Sequence, residues 1–124
     1  MITEDYCSYE VAKLLKEKGF DEQTRLAYTE SGKADFSSLT RYWNQGSLYA
    51  CPTHQMAMKW LREEKNIFIQ ISAVLQDQPF GLHYRPSIQD YHAYARHDNF
   101  SEYVTYEEAV EAALKYCLGK LKLI

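Results

Sequence analysis

Apolar residues recur along this chain with two different periods, and the changes between them mark out elements. Residues 9–18 carry Val11, Leu14 and Leu15 as one stripe with Lys13, Lys16 and Glu17 elsewhere, the spacing of an amphipathic helix. Ser8 is placed to cap its start, and Gly19 predicts a left-handed cap at its end, letting Phe20 fold back onto the stripe. Residues 24–29 fit a strand with Leu26 and Tyr28 on one side, and Ser31-Gly32-Lys33 reads as a turn. A second helix is predicted over 53–65, capped by Thr53 or opened by Pro52, with Met56, Ala57, Trp60 and Leu61 as its buried stripe and Asn66 at its end. Strict alternation follows over 67–75, where Ile67, Ile69, Ile71, Ala73 and Leu75 oppose Phe68, Gln70, Ser72 and Val74. Asp77-Gln78-Pro79 predicts a turn. Alternation resumes over 80–85 and again over 91–96, with a second turn expected at 86–89.

The last pattern is helical with both ends marked. Thr105 and Glu108 match a capping box, and Val110, Ala113, Leu114, Cys117, Leu118 and Leu121 form a core face. Glu107, Glu108 and Glu111 sit early and Lys115, Lys120 and Lys122 late, as the helix dipole favours. Between 34 and 51 no period holds. That stretch reads as a long loop carrying Phe36, Tyr42, Trp43 and Tyr49, and a loop of that length is either functional or hides short elements. The expected architecture is α+β: a three- to four-stranded antiparallel sheet packed by two or three helices on one face, with an α-β-β-β-α order in the C-terminal part.

Length and composition narrow the classes. The 124 residues fit one domain, 1–124, with a core large enough to need no staples. A formal net charge of -3 provides no basic excess of the kind nucleic-acid binders show. The first ten residues lack a secretory pattern, and the most apolar run, 67–75, falls far short of the ~20 residues a membrane helix needs, so a soluble cytoplasmic protein is expected. Three widely spaced cysteines, with no CxxC pair, suggest neither a disulfide framework nor a zinc ribbon. Eleven tyrosines suit half-buried sheet faces and interfaces alike.

Candidate chemistry is sparse. A hairpin turning at Ser87-Ile88 would set His83 opposite His92 and Arg85 opposite Asp90, making His83 and His92, with His97 as a third, the metal candidates. That register is an assumption, and a one-residue slip would undo it. Cys51-Pro52-Thr53-His54 puts a thiol near a helix N-terminus, where a dipole lowers thiol pKa, yet no base and orienting group accompany it. Glu63-Glu64 and Glu107-Glu108 point about 100° apart on their helices and do not converge. Phosphate loops, HExxH and GxSxG are absent from the sequence. Arg41, Tyr42, Trp43 and Tyr49 are of types enriched in interface hot spots, and the competing reading folds Trp43 onto the core.

Three blocks, EDYCSYEVAKLLKEKGFDE, CPTHQMAMKWLREEKNIFIQI and TYEEAVEAALKYCL, resemble a family of small uncharacterised proteins carried by prophages and mobile elements of gut Bacteroides-type bacteria. This chain ends GKLKLI where that family tends to an acidic-polar pair before Leu-Ile. The resemblance implies a bacterial cytoplasmic protein of mobile-element origin, and it carries no activity or site residues. The function expected is that of a non-enzymatic accessory protein binding a protein partner, without cofactor, through the aromatic loop or a sheet face. The alternative is a nucleic-acid-associated module, because the helix-strand-strand-strand-helix order from Thr53 to Leu121 is that of double-stranded-RNA-binding domains. A basic patch from Lys13, Lys16, Lys59, Arg62, Arg85 and Arg96 would favour that alternative.

Overall fold

The computed structural model describes residues 2–36, 44, 46–77 and 80–123. Its elements run α1 (Tyr9–Glu17), β1 (Leu26–Tyr28), β2 (Ala34–Phe36), β3 (Tyr49–Cys51), α2 (His54–Lys65), β4 (Ile67–Asp77), β5 (Phe80–Asp90), β6 (Ala95–His97) and α3 (Tyr106–Gly119). The chain is α+β, and its C-terminal part has the α-β-β-β-α order. The strands divide into two antiparallel three-stranded sheets, ordered β2-β1-β3 and β4-β5-β6.

Local chemistry sets the helix ends. Ser8 Oγ accepts the Val11 amide at 3.2 Å and Thr53 Oγ1 the Met56 amide at 3.1 Å, so Thr53, not Pro52, opens α2. Thr105 Oγ1 accepts the Glu108 amide at 3.1 Å, and its hydroxyl donates back to Glu108 Oε1 at 3.2 Å. Beyond α1, Gly19 takes φ 91°. Its amide reaches Lys16 O, while the Phe20 amide reaches Leu15 O, a Schellman motif that seats Phe20 in the core. Asn66 closes α2 in the left-handed region at φ 55°.

One core joins both sheets. Val11 and Leu15 of α1, Ala57 and Leu61 of α2, Ile67 of β4, Ile88 of β5 and Leu114 and Leu118 of α3 meet in it. Burying one of these valine, leucine or isoleucine side chains fully contributes about 1.5–3 kcal/mol. On α2 the stripe is shifted from expectation. Met58 is buried, whereas Met56, expected inside, is 43% exposed. Helix α3 lies against β4 and β5, and α1 against α3 and β3.

The stretch read as a loop holds β2 and β3, short strands that pair on either side of β1. Three residues are too few for a visible alternation, and their ladder partners lie elsewhere in the chain. Arg41, Tyr42 and Trp43 lie outside the described residues, as do Ser37 and Ser38 of the same stretch and Gln78 and Pro79 of the expected turn.

The larger correction concerns β5. No turn occurs at 86–89: β5 runs unbroken through Pro86, which pairs with Ile71. A proline interrupts a strand only where its missing N–H is needed by a ladder. The even-numbered residues of β5 direct their amides away from β4, as Tyr84 does in donating to Tyr103 O at 2.8 Å. On that side β6 pairs only with Ile88, Gln89 and Asp90. Pro86 therefore falls in a gap between the Tyr103 bridge and β6, where no partner among the described residues asks for its N–H. The turn comes later, at 91–94, where Asp90 Oδ1 accepts the amides of His92 and Ala93 at 3.1 and 3.2 Å. Those bonds account for a buried aspartate.

Candidate functional sites

The first site grows out of this register. On β4 the core-side positions are Ile67, Ile69 and Ile71, opposite Asp90, Ile88 and Pro86 of β5. The same face continues outward through the pairs Ala73–Tyr84, Leu75–Leu82 and Asp77–Phe80. The Tyr84 ring still meets Tyr106 of α3 edge-on at 6.1 Å, and past that pair the covering layer ends. Leu75 is 62% exposed, Leu82 54% and Phe80 79%. The hairpin is thus an arm whose core-type face runs into solvent. The outer edge of β4 has no strand beside it among the described residues.

The new register also relocates the histidines. His83 pairs with Val74, and Arg85 with Ser72, so neither His83–His92 nor Arg85–Asp90 forms a cross-strand pair. His83 Nδ1 lies 3.9 Å from Glu102, which accepts a hydrogen bond from Arg85, whereas His92 is exposed in the 91–94 turn. His97 shares its Nδ1 with the Tyr116 hydroxyl at 2.9 Å. Tyr49 stands half-buried in β3 with its ring edge-on to Tyr9 at 5.6 Å and Lys16 Nζ 4.9 Å from its centroid. Lys16 also donates to Leu48 O at 3.0 Å, Lys59 lies 3.8 Å from Glu63 and Arg96 3.4 Å from Asp98, so these cations are each engaged.

The second site is a cleft of about 640 Å³ where the starts of the helices meet. Residues 5–7 lie antiparallel to 52–54: His54 donates its amide to Asp5 O at 2.8 Å, and Cys7 its amide to Pro52 O at 3.0 Å. That pairing sets Cys7 beside His54, the first residue of α2. Glu111 enters from the second turn of α3. His54 Nε2 and Glu111 Oε2 are 2.7 Å apart, and the Ser8 amide donates to the same oxygen at 3.1 Å. Glu111 Oε1 is buried with no hydrogen-bond partner among the described residues. One donor atom each from Cys7, His54 and Glu111 lies within 4.8 Å of the others.

Burial acts on these groups in opposite directions. It alone would raise the Glu111 carboxyl, but hydrogen bonds from His54 and Ser8 outweigh it and hold the group below the usual carboxylate range. The Cys7 thiol is driven well above its ordinary value, first by burial and then by its neighbours Cys51 and Glu111. Cys51 ends β3 instead of opening a helix. Its thiol donates to Cys7 O at 3.0 Å, and burial pushes it up to about 12. Cys117 sits in the core face of α3 and is likewise pushed up to about 12 by burial. All three thiols are free and buried.

Compared with known proteins, the chain matches no family model, no curated protein and no solved structure. The two sites therefore rest on the geometry of this chain. Sequence reading missed the second one, although a signal was present. His54 precedes Ala57, Met58 and Leu61 at the i, i+3, i+4, i+7 spacing of the buried stripe, and Glu111 precedes Leu114 and Leu118 in the same way. A polar residue on an apolar stripe needs a buried partner, and here each supplies the other.

Proposed function

We propose that this protein is a non-enzymatic accessory protein that binds a protein partner through the β4–β5 arm. The observation that carries the reading is the Leu75–Leu82 pair with Phe80, an extension of the core-side face that no described element covers. Contiguous exposed apolar surface of this kind marks protein-binding sites, and the open β4 edge suits a partner that brings a strand. Origin in a bacterial mobile element and residence in the cytoplasm follow the resemblance of the three sequence blocks. Three free thiols accord with a reducing compartment, and no helix among the described residues is long and apolar enough to cross a membrane.

Nucleic-acid association has the α-β-β-β-α order in its favour. Against it, Glu107 and Glu108 occupy the first turn of α3, where that class of domain presents cations to phosphate, and Glu107, Glu108, Glu111 and Asp5 line the adjoining cleft. The test is capture of partners from a lysate of a host carrying the element, with and without nuclease. The unaltered chain is compared with a Phe80→Ser, Leu82→Ser double variant. The expected result is a partner that survives nuclease and is lost with the double variant, whose unfolding midpoint is unchanged. Equal capture by both chains overturns the arm as the contact surface, and recovery abolished by nuclease assigns the protein to nucleic acid.

A further inference from the structure

We propose that Cys7, His54 and Glu111 form a binding site for a divalent transition metal, zinc foremost. The site is separate from the arm and goes beyond the interaction reading. Thiolate, imidazole and carboxylate form a donor set that suits zinc, whereas magnesium and calcium take oxygen ligands almost alone. The three donors come from three places that the fold holds rigidly: the segment paired with residues 52–54, the first residue of α2 and the second turn of α3.

The spacing is close to what zinc needs. Bonds of about 2.3 Å to sulfur and about 2.0–2.1 Å to nitrogen and oxygen, arranged tetrahedrally, put neighbouring donors roughly 3.3–3.6 Å apart. The three donor atoms lie within 4.8 Å of one another, and the closest pair, His54 Nε2 and Glu111 Oε2, stands at 2.7 Å. Side-chain rotations that open that pair by roughly half an ångström and draw the thiol inward complete the triangle.

Two further observations point to a cation. Glu111 Oε1 is buried without a hydrogen-bond partner among the described residues, so a carboxylate already oriented by the Ser8 amide has an acceptor to spare. That oriented carboxylate resembles the outer-sphere support metal ligands commonly receive. The cleft is also acidic: Asp5, Glu107 and Glu108 line it with Glu111, while its Lys115 is engaged by Glu10 at 2.7 Å. All three ligands line the cleft, so water can reach a fourth coordination position.

Binding exchanges protons for metal. The Cys7 thiol loses its proton to solvent and ligates as thiolate. The proton that His54 Nε2 shares with Glu111 leaves to solvent, or is replaced by one on Nδ1, and the freed Nε2 ligates in place of that contact. The metal charge stabilises the thiolate that burial disfavours. A buried thiol, inert as a nucleophile, becomes a ligand.

The experiment uses the full chain stripped with chelator and titrated with cobalt(II) and with zinc. The expected result is one equivalent bound, a near-ultraviolet thiolate-to-cobalt band with the visible absorption of a tetrahedral ion, and displacement of cobalt by zinc. Cys7→Ser and Glu111→Gln, both close in shape to the residues they replace, should each weaken zinc at least about 100-fold and Cys7→Ser should abolish the band. Circular dichroism checks that these variants are folded. His92→Ala, in an exposed turn, and the Phe80→Ser, Leu82→Ser arm variant should bind as the unaltered chain does. Failure to take up either metal overturns the proposal, as does one-equivalent binding that survives both Cys7→Ser and Glu111→Gln. Loss of partner capture in the arm variant with zinc binding intact keeps the two readings distinct.

Discussion

Glu111 concentrates the chemistry of the second site, and its behaviour with pH is calculable in sign. Hydrogen bonds from His54 and Ser8 hold its carboxyl below the ordinary value of 4.5 despite burial. A group whose folded-state pKa lies below its unfolded value stabilises the fold above the unfolded value, and that contribution is lost as pH falls through the folded one. With chelator present, the unaltered chain should lose stability as pH drops below about 4.5, and Glu111→Gln should flatten that slope. Thermal unfolding across acid pH on both chains measures it, and parallel slopes would show that the carboxylate contributes nothing. Cys7 illustrates the limit of reading single residues. In sequence it is one of three isolated cysteines. Only the backbone pairing of residues 5–7 with 52–54 places it beside His54.

The helices were legible in the chain because their ends depend on bonds spanning three or four residues. Ser8, Thr53 and Thr105 each accept the amide that capping requires. Thr105→Ala should therefore cost about 1 kcal/mol, since it removes both the Glu108 amide's acceptor and the return bond to the carboxylate. Chemical denaturation should show a lower midpoint with an unchanged slope, and an unchanged midpoint would mean that tertiary packing alone sets the start of α3. The strands were less legible. Alternation found β4 directly, but Pro86 suggested a break in β5 that the ladder does not have, because the amide it lacks faces the gap beside β6. The resulting shift separates His83 from His92 and removes the metal pair that the shorter hairpin would have made.

One face of the β4–β5 hairpin serves two purposes along its length. Near the body it packs Ile67, Ile69 and Ile88 into the core, and farther out it exposes Leu75, Leu82 and Phe80. Two substitutions on this face of β5 should accordingly diverge. Ile88→Ala, at 0% exposure, should cost about 2–5 kcal/mol, whereas Phe80→Ser, at 79% exposure, should change stability by no more than about 0.5 kcal/mol. Unfolding of both variants under one set of conditions tests the contrast. A large loss from Phe80→Ser would mean that the arm's apolar face is buried against the body in solution. The sequence by itself determined the helices, their caps, the alternation of β4 and the α+β class, because each depends on neighbours within a few residues. The tertiary structure alone decided that short strands at 34–36 and 49–51 flank β1, that β5 passes through Pro86, and that Cys7 and His54 meet Glu111. Those outcomes depend on contacts between distant segments, 57 residues apart for His54 and Glu111, and no local spacing encodes which distant partner a side chain will find.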